Sequence, residues 1–100
     1  MFRIVAAYNQ PEDPEKFLDH YQNVHLPLAR TMPDVRSIQW GRVVDLAGGT
    51  PDAFVITTMD WDTKESALAS LASPEGVAGN EDMANFAQAG VTVSMVEVAQ

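Results

Sequence analysis

The feature that most restricts this chain is the patterning of its strand-like segments, which carry apolar side chains at both parities. Near the start, Phe2, Ile4 and Ala6 interleave with Val5 and Ala7; later, Ile38 and Trp40 stand against Val43, and Phe54 and Ile56 against Val55 and Met59. Successive strand residues point to opposite faces, so a sheet made of these segments is apolar on both. Helices in a chain of 100 residues can cover one face. The other cannot be left in water, because its apolar area exceeds what monomers tolerate. The pattern therefore predicts a homodimer by sheet-to-sheet packing.

The order of elements narrows the fold. Residues 2–8 read as a strand that runs into the turn Asn9-Gln10-Pro11. Asp13-Pro14-Glu15 then supplies a helix cap, a proline at the first helical position and an acid in the first turn, which predicts a helix from about Pro14. On a helical wheel Phe17, Leu18, Tyr21, Val24, His25 and Leu28 form one stripe. Pro27 has no N–H to donate, so the helix should kink or restart between His25 and Leu28, and Pro33 closes it.

Residues 35–46 and 53–61 read as two strands joined by the turn Ala47-Gly48-Gly49-Thr50-Pro51-Asp52, an antiparallel hairpin. Asp62 with Glu65 matches a capping box ahead of Ala67, Leu68 and Leu71. Ser73-Pro74-Glu75-Gly76 reads as an interruption and residues 77–80 as irregular linkage, before a helical piece over 81–89 that Gly90 stops. Residues 91–98 alternate as a closing strand. Strand, helix, strand, strand, helix, strand predicts one α+β domain over residues 1–100, a ferredoxin-like βαββαβ fold with a four-stranded antiparallel sheet.

Composition removes several function classes. Six Lys plus Arg against 14 Asp plus Glu leave a net charge of −8, which repels nucleic acid and acidic membrane surfaces. With no cysteine there are no disulfides, thiolate nucleophiles or iron–sulfur clusters. No stretch approaches the roughly 18 consecutive apolar residues of a membrane span, and no export signal is visible, so a cytoplasmic address is expected. Gly48-Gly49 belongs to a turn and not a phosphate-binding loop, and Ser66, Ser70 and Ser73 lack a nucleophile-elbow context.

Proton chemistry is left to His20 and His25, the two histidines, both on the first helix. In a regular helix residues five apart diverge by about 140° net, so the pair is not expected to share a metal ion. His25 lies on the apolar stripe one turn after Tyr21. Its ring should face a cavity lined by Tyr8, Tyr21, Trp40, Phe54 or Trp61, aromatic residues that suit a planar apolar ligand. A core histidine with a satisfied hydrogen bond is the structural alternative.

Tyr8, the turn Pro11-Glu12-Asp13, Phe17, His20-Tyr21, His25-Leu26-Pro27-Leu28-Ala29 and Met32-Pro33 resemble the EthD family of dimeric α+β barrel proteins. Ser73-Pro74-Glu75-Gly76 with Asp82, Asn85 and Phe86 extends the resemblance over essentially the whole chain. The resemblance implies a ferredoxin-like monomer whose sheet pairs with a second copy into a barrel, with the family's typical histidine at His25. The family is associated with breakdown of ethers and small organic compounds, and its barrel relatives include cofactor-free monooxygenases and lactone isomerases.

The functional expectation is a cofactor-independent enzyme, with no cofactor and no metal, acting on a small apolar or aromatic carbonyl compound. His25 and His20 are the catalytic candidates, and Tyr8 or Tyr21 would hydrogen-bond an enolate. The alternative is a noncatalytic accessory protein that binds a small apolar ligand or supports an oxygenase system.

Overall fold

In a computed structural model, which describes residues 1–99, β1 (Phe2–Asn9) occupies an inner position of a single sheet. It pairs with β3 (Ala53–Trp61) on one side and β4 (Val91–Glu97) on the other, and β2 (Ser37–Arg42) completes the order β2-β3-β1-β4. Every pairing is antiparallel. The two connections that skip a strand, β1 to β2 and β3 to β4, carry the helices, which gives the ferredoxin-like α+β fold that the element order predicts.

The register explains which side chains face the helices. Phe2 opposes Trp61, Ile4 opposes Met59, Ala6 opposes Thr57 and Tyr8 opposes Val55, so these alternate positions share the covered face. Phe2, Ile4, Ala6 and Tyr8 are all buried there. The outer face keeps Val5, Ala7, Val43, Ile56 and Val96, with Ile56 and Val96 exposed, and bears a shallow hollow of about 390 Å³ around Gly41. Near its end, Arg3 grips Asp60 through Nε and Nη2 at 2.7 and 3.2 Å, and Ser37 donates to the same carboxylate at 3.1 Å. The outer face is mixed, these apolar residues alternating with Arg3, Ser37, Gln39, Thr58, Asp60, Thr92 and Ser94, and it is uncovered in the single chain.

The helical layer departs from the sequence reading in three places. First, α1 (Pro14–His20) starts where predicted, with Asp13 Oδ1 accepting the Lys16 N–H at 3.1 Å. It then widens into a π-helical turn over Tyr21–His25 before α2 (Leu26–Ala29). The expected break at Pro27 is therefore absorbed one turn earlier, and the apolar stripe rotates: Val24 turns out to solvent and Leu26 turns in.

Second, α3 (Lys64–Ala72) is capped by Thr63, whose Oγ1 accepts the Ser66 N–H at 3.1 Å, and not by Asp62. Asp62 pairs with Arg36 at 2.7 Å instead. Third, Ser73-Pro74-Glu75-Gly76 does not interrupt the helical region but opens α4 (Pro74–Asp82). Ser73 is its cap, accepting the Gly76 N–H at 3.1 Å, with Pro74 in the first turn and Glu75 beside the exposed amides. A 3₁₀ turn, Met83–Asn85, follows, and the helical piece expected over 81–89 is not formed: its first residues end α4 and residues 86–89 are not helical. No helix among the described residues is long and apolar enough to cross a membrane.

Two buried clusters lie between sheet and helices. One gathers Ala6, Tyr8, Phe17, Tyr21, Leu26, Phe54, Val55 and Phe86; the other holds Phe2, Ile4, Met32, Trp61 and Ala67. The first leads to the candidate site.

Candidate active site

The two histidines and the last residue of α4 meet in one hydrogen-bonded array. His20 Nε2 lies 2.8 Å from Asp82 Oδ1, and His25 Nδ1 lies 3.0 Å from Asp82 Oδ2. Asn85 Nδ2 donates to Oδ1 at 3.0 Å. One carboxylate therefore receives three donors that arrive from α1, the π turn and the segment after α4.

The π turn is what makes this possible. Pro27 offers no N–H to the preceding turn, and the Leu26 N–H reaches back five residues to the Tyr21 carbonyl. The extra residue per turn cancels much of the angular separation that a regular helix imposes between residues five apart. The expectation that His20 and His25 diverge is thus overturned: both aim at Asp82.

Electrostatics set the protons. Burial pushes the Asp82 carboxyl up, but hydrogen bonds from Asn85, His20 and His25 outweigh it and hold the group below the ordinary aspartate value. An ionised carboxylate only accepts, so the N–H groups sit on His25 Nδ1 and His20 Nε2. Burial lowers the His25 pKa, against the pull of Asp82 and with help from His20. His25 is consequently a neutral imidazole near pH 7, with its lone pair on Nε2 and its tautomer fixed by Asp82. This is the arrangement of an oriented general base.

Aromatic rings wall the array. Phe86 lies 4.6 Å from the His25 ring and 5.4 Å from the His20 ring, centroid to centroid. Tyr21 stacks on His25 at 5.9 Å and Tyr8 meets both Tyr21 and Phe86 edgewise or tilted, at 5.7 and 5.5 Å. Burial raises both phenols, Tyr21 to about 12 and Tyr8 further, with Tyr21 and Asp82 adding to the shift at Tyr8. Both hydroxyls stay protonated at neutral pH; that of Tyr21 is paired with Thr57.

The remaining aromatic candidates are placed unequally. Trp40 stands edge-on to Tyr21 at 5.1 Å, and Phe54 packs edge-on against Phe17 at 5.4 Å with the Arg42 guanidinium over its ring. Trp61 does not join them: it belongs to the other cluster, its Nε1 donating to the Pro33 carbonyl at 3.3 Å. The cavity expected among Tyr8, Tyr21, Trp40, Phe54 and Trp61 is filled by these side chains, since Tyr8 is 1% exposed and Tyr21 and Trp61 0%. Open space lies on the other side of His20, in a cleft of about 640 Å³ floored by Phe17 and Phe86 and bounded by Lys16, Asn85 and Gln88. Among the described residues no three acidic or imidazole side chains are arranged to hold a metal ion.

Asp82 and Asn85 escape residue-by-residue reading. They lie more than 50 residues from His25, as the separation of 57 between His25 and Asp82 shows, and no spacing rule links them. The family resemblance alone singles them out.

Fold and site together define a small ferredoxin-like α+β protein with a buried His–Asp–His array between its first and last helical segments. The EthD domain model matches residues 9–90, and the chain belongs to the EthD family. An uncharacterised 11.0 kDa protein from the thcB–thcC intergenic region of Rhodococcus erythropolis is 38% identical over 93 residues, covering 93% of this chain and 90% of that one. The crystal structure of an EthD family protein from Bacillus halodurans superposes with a TM-score of 0.93 at 32% identity, covering 99% of each chain. Two structures share the fold at lower identity. A dimeric ferredoxin-like protein from Thermobifida fusca has a TM-score of 0.73 at 13% identity, covering 97% of this chain and 90% of that one. SnoaB, a cofactor-independent oxygenase from Streptomyces nogalater, has 0.70 at 14%, covering 99% and 93%.

Proposed function

We propose that this EthD protein is a cofactor-independent enzyme that moves a proton on a small, largely apolar carbonyl compound, and that it works as a cytoplasmic homodimer paired through its outer sheet faces. The observation that carries the catalytic reading is the fixed tautomer of His25, a ring that burial keeps neutral and that Asp82 orients with its lone pair on Nε2. That lone pair takes a proton from carbon beside the carbonyl; the C–H electron pair moves into the carbon framework and the carbonyl oxygen becomes an enolate. In a substrate whose neighbouring C=C extends the enolate to a dienolate, return of the proton to the far carbon shifts the double bond and completes an isomerisation.

Tyr8 is the favoured donor to the enolate, because the Tyr21 hydroxyl is paired with Thr57. His20 borders the cleft and His25 and Tyr8 lie behind it, so the reaction requires the substrate to pass His20, the second catalytic imidazole, to reach the His25 lone pair. Phe17 and Phe86, each 4% exposed, form the buried aromatic wall behind the cleft, with Trp40 and Phe54 packed against the same cluster. Homodimer formation is supported by the apolar residues of the outer face and by the dimeric fold relative from Thermobifida fusca.

The test is incubation with a panel of ketones, lactones and quinols in heavy water, following loss of proton signal beside the carbonyl by NMR. His25→Ala should abolish exchange while circular dichroism and the dimer persist; undiminished exchange in that variant refutes the assignment. The filled interior favours a second reading, an accessory protein in which the array ties the helices together and a small apolar ligand binds without reacting. Under that reading compounds that raise the melting temperature are recovered unchanged.

A further inference from the structure

The charge around the cleft narrows the substrate class of the site just proposed, and this step rests on the cleft being where substrate binds. Of its charged lining groups, Glu12, Asp13 and Asp19 are carboxylates and Lys16 is the one ammonium. None of the four takes part in an ion pair within 4.0 Å among the described residues. Asp13 and Asp19 do hold hydrogen bonds, from the Lys16 amide at 3.1 Å and from the Asn23 amide group at 2.9 Å, which anchor them without cancelling their charge.

Behind the cleft, the Asp82 carboxylate adds a fourth anion, hydrogen-bonded to His20 and to the neutral His25. It is buried and already bonded to His20, His25 and Asn85, so it supplies field and not a contact. The floor is apolar aromatic surface from Phe17 and Phe86, of low dielectric, which concentrates field lines in the cleft. The chain's net charge of −8 works in the same direction at longer range. Among the described residues no arginine borders the cleft to clamp a carboxylate or phosphate in two-pronged fashion.

We propose that the cleft accepts uncharged or amine-bearing carbonyl compounds and rejects anionic ones, so that keto acids, sugar phosphates and coenzyme A thioesters are not substrates. Discrimination comes from repulsion at the rim acids and from the absence of a paired cationic receptor. An aromatic ketone with a cationic substituent gains the same field that an anionic one opposes.

The matched probes are 4-(aminomethyl)acetophenone, 4-methylacetophenone and 4-acetylbenzoate, which share ring, carbonyl and exchangeable methyl protons and differ in charge. Binding is read from shifts of the Phe86 and His20 ring resonances in the full-length protein. The expected order is amine, then methyl, then carboxylate, with the carboxylate weaker than the methyl compound by about tenfold, the response to a potential of a few kT. Raising salt from about 0.01 M to about 1 M, where the screening length falls from ~30 to ~3 Å, should close the gap.

The double variant Glu12→Lys with Asp19→Lys, both outside the His–Asp–His array, should admit the carboxylate at the expense of the amine. Equal binding of all three probes, or an order unaffected by salt and by the double variant, overturns the proposal. So does the absence of any shift at Phe86 and His20. Failure of the catalytic reading looks different: the probes bind in the expected order, but His25→Ala and the parent protein exchange their methyl protons at the same rate.

Discussion

Replacing Asp82 by asparagine preserves the volume of the side chain and removes its charge, and the hydrogen-bond pattern dictates how the amide must sit. Oδ1 receives two donors, His20 Nε2 and Asn85 Nδ2, whereas Oδ2 receives only His25 Nδ1. The amide carbonyl therefore replaces Oδ1 and the NH₂ faces His25. An NH₂ cannot accept, so the His25 ring must present a bare Nδ1 and carry its proton on Nε2 instead. The base loses its lone pair at the nitrogen assigned to catalysis, at a structural cost of about 1 kcal/mol because every group remains paired. Proton exchange should fall by ~10² to 10⁴, the range that a positioned base contributes.

Asp82→Ala separates structural from catalytic effects. There the His25 N–H has no acceptor and little water, since the residue is 7% exposed, which costs about 1–3 kcal/mol. His20 and Asn85 are less buried and can turn to solvent. A total loss of about 2–3 kcal/mol follows, a fall in melting temperature of roughly 10–20 °C for a domain of this size. Nitrogen-15 NMR of the imidazoles reads the tautomer, and thermal unfolding reads the stability. The reasoning is refuted if Asp82→Asn leaves His25 protonated at Nδ1, or if exchange survives at the parent rate.

Acidification provides an independent check. The folded-state pKa of His25 lies below its unfolded value, so on lowering pH through about 6.5 the unfolded chain gains a proton that the folded one refuses, and stability falls. Urea midpoints should drop between about pH 7.5 and 5, and His25→Gln should flatten that slope; parallel slopes would contradict the assignment. Gly76→Ala should destabilise, because an added Cβ would sit 2.5 Å from the Leu71 carbonyl oxygen, and an overpacking cost of about 1–3 kcal/mol exceeds the gain of up to ~1 kcal/mol from helix propensity. A raised melting temperature would show that α3 and α4 can part there. Ile56→Arg places a charge in the middle of the outer sheet face and should yield monomers in sedimentation with unchanged helical content; persistent dimers would move the interface elsewhere.

Short-range chemistry settled most of the architecture. The first strand, the cap Asp13-Pro14-Glu15 and the strand from Ala53 to Trp61 depend on neighbours along the chain, so periodicity and cap rules find them. The same cap rule finds α4 when applied to Ser73-Pro74-Glu75; reading proline there as a breaker and not as a first-turn residue was the error. At Thr63 the choice between two capping candidates turned on Arg36, far away in sequence, which claims Asp62.

What the chain by itself determined is the order of elements and an inward-turned His25, because each follows from side-chain period and local backbone chemistry. Tertiary structure alone decided that Asp82 unites His20 with His25, that the aromatic interior is filled and that the open cleft lies beyond His20. Those outcomes depend on a π turn whose helical phase no fixed 3.6-residue wheel represents, and on contacts between residues with no fixed separation along the sequence.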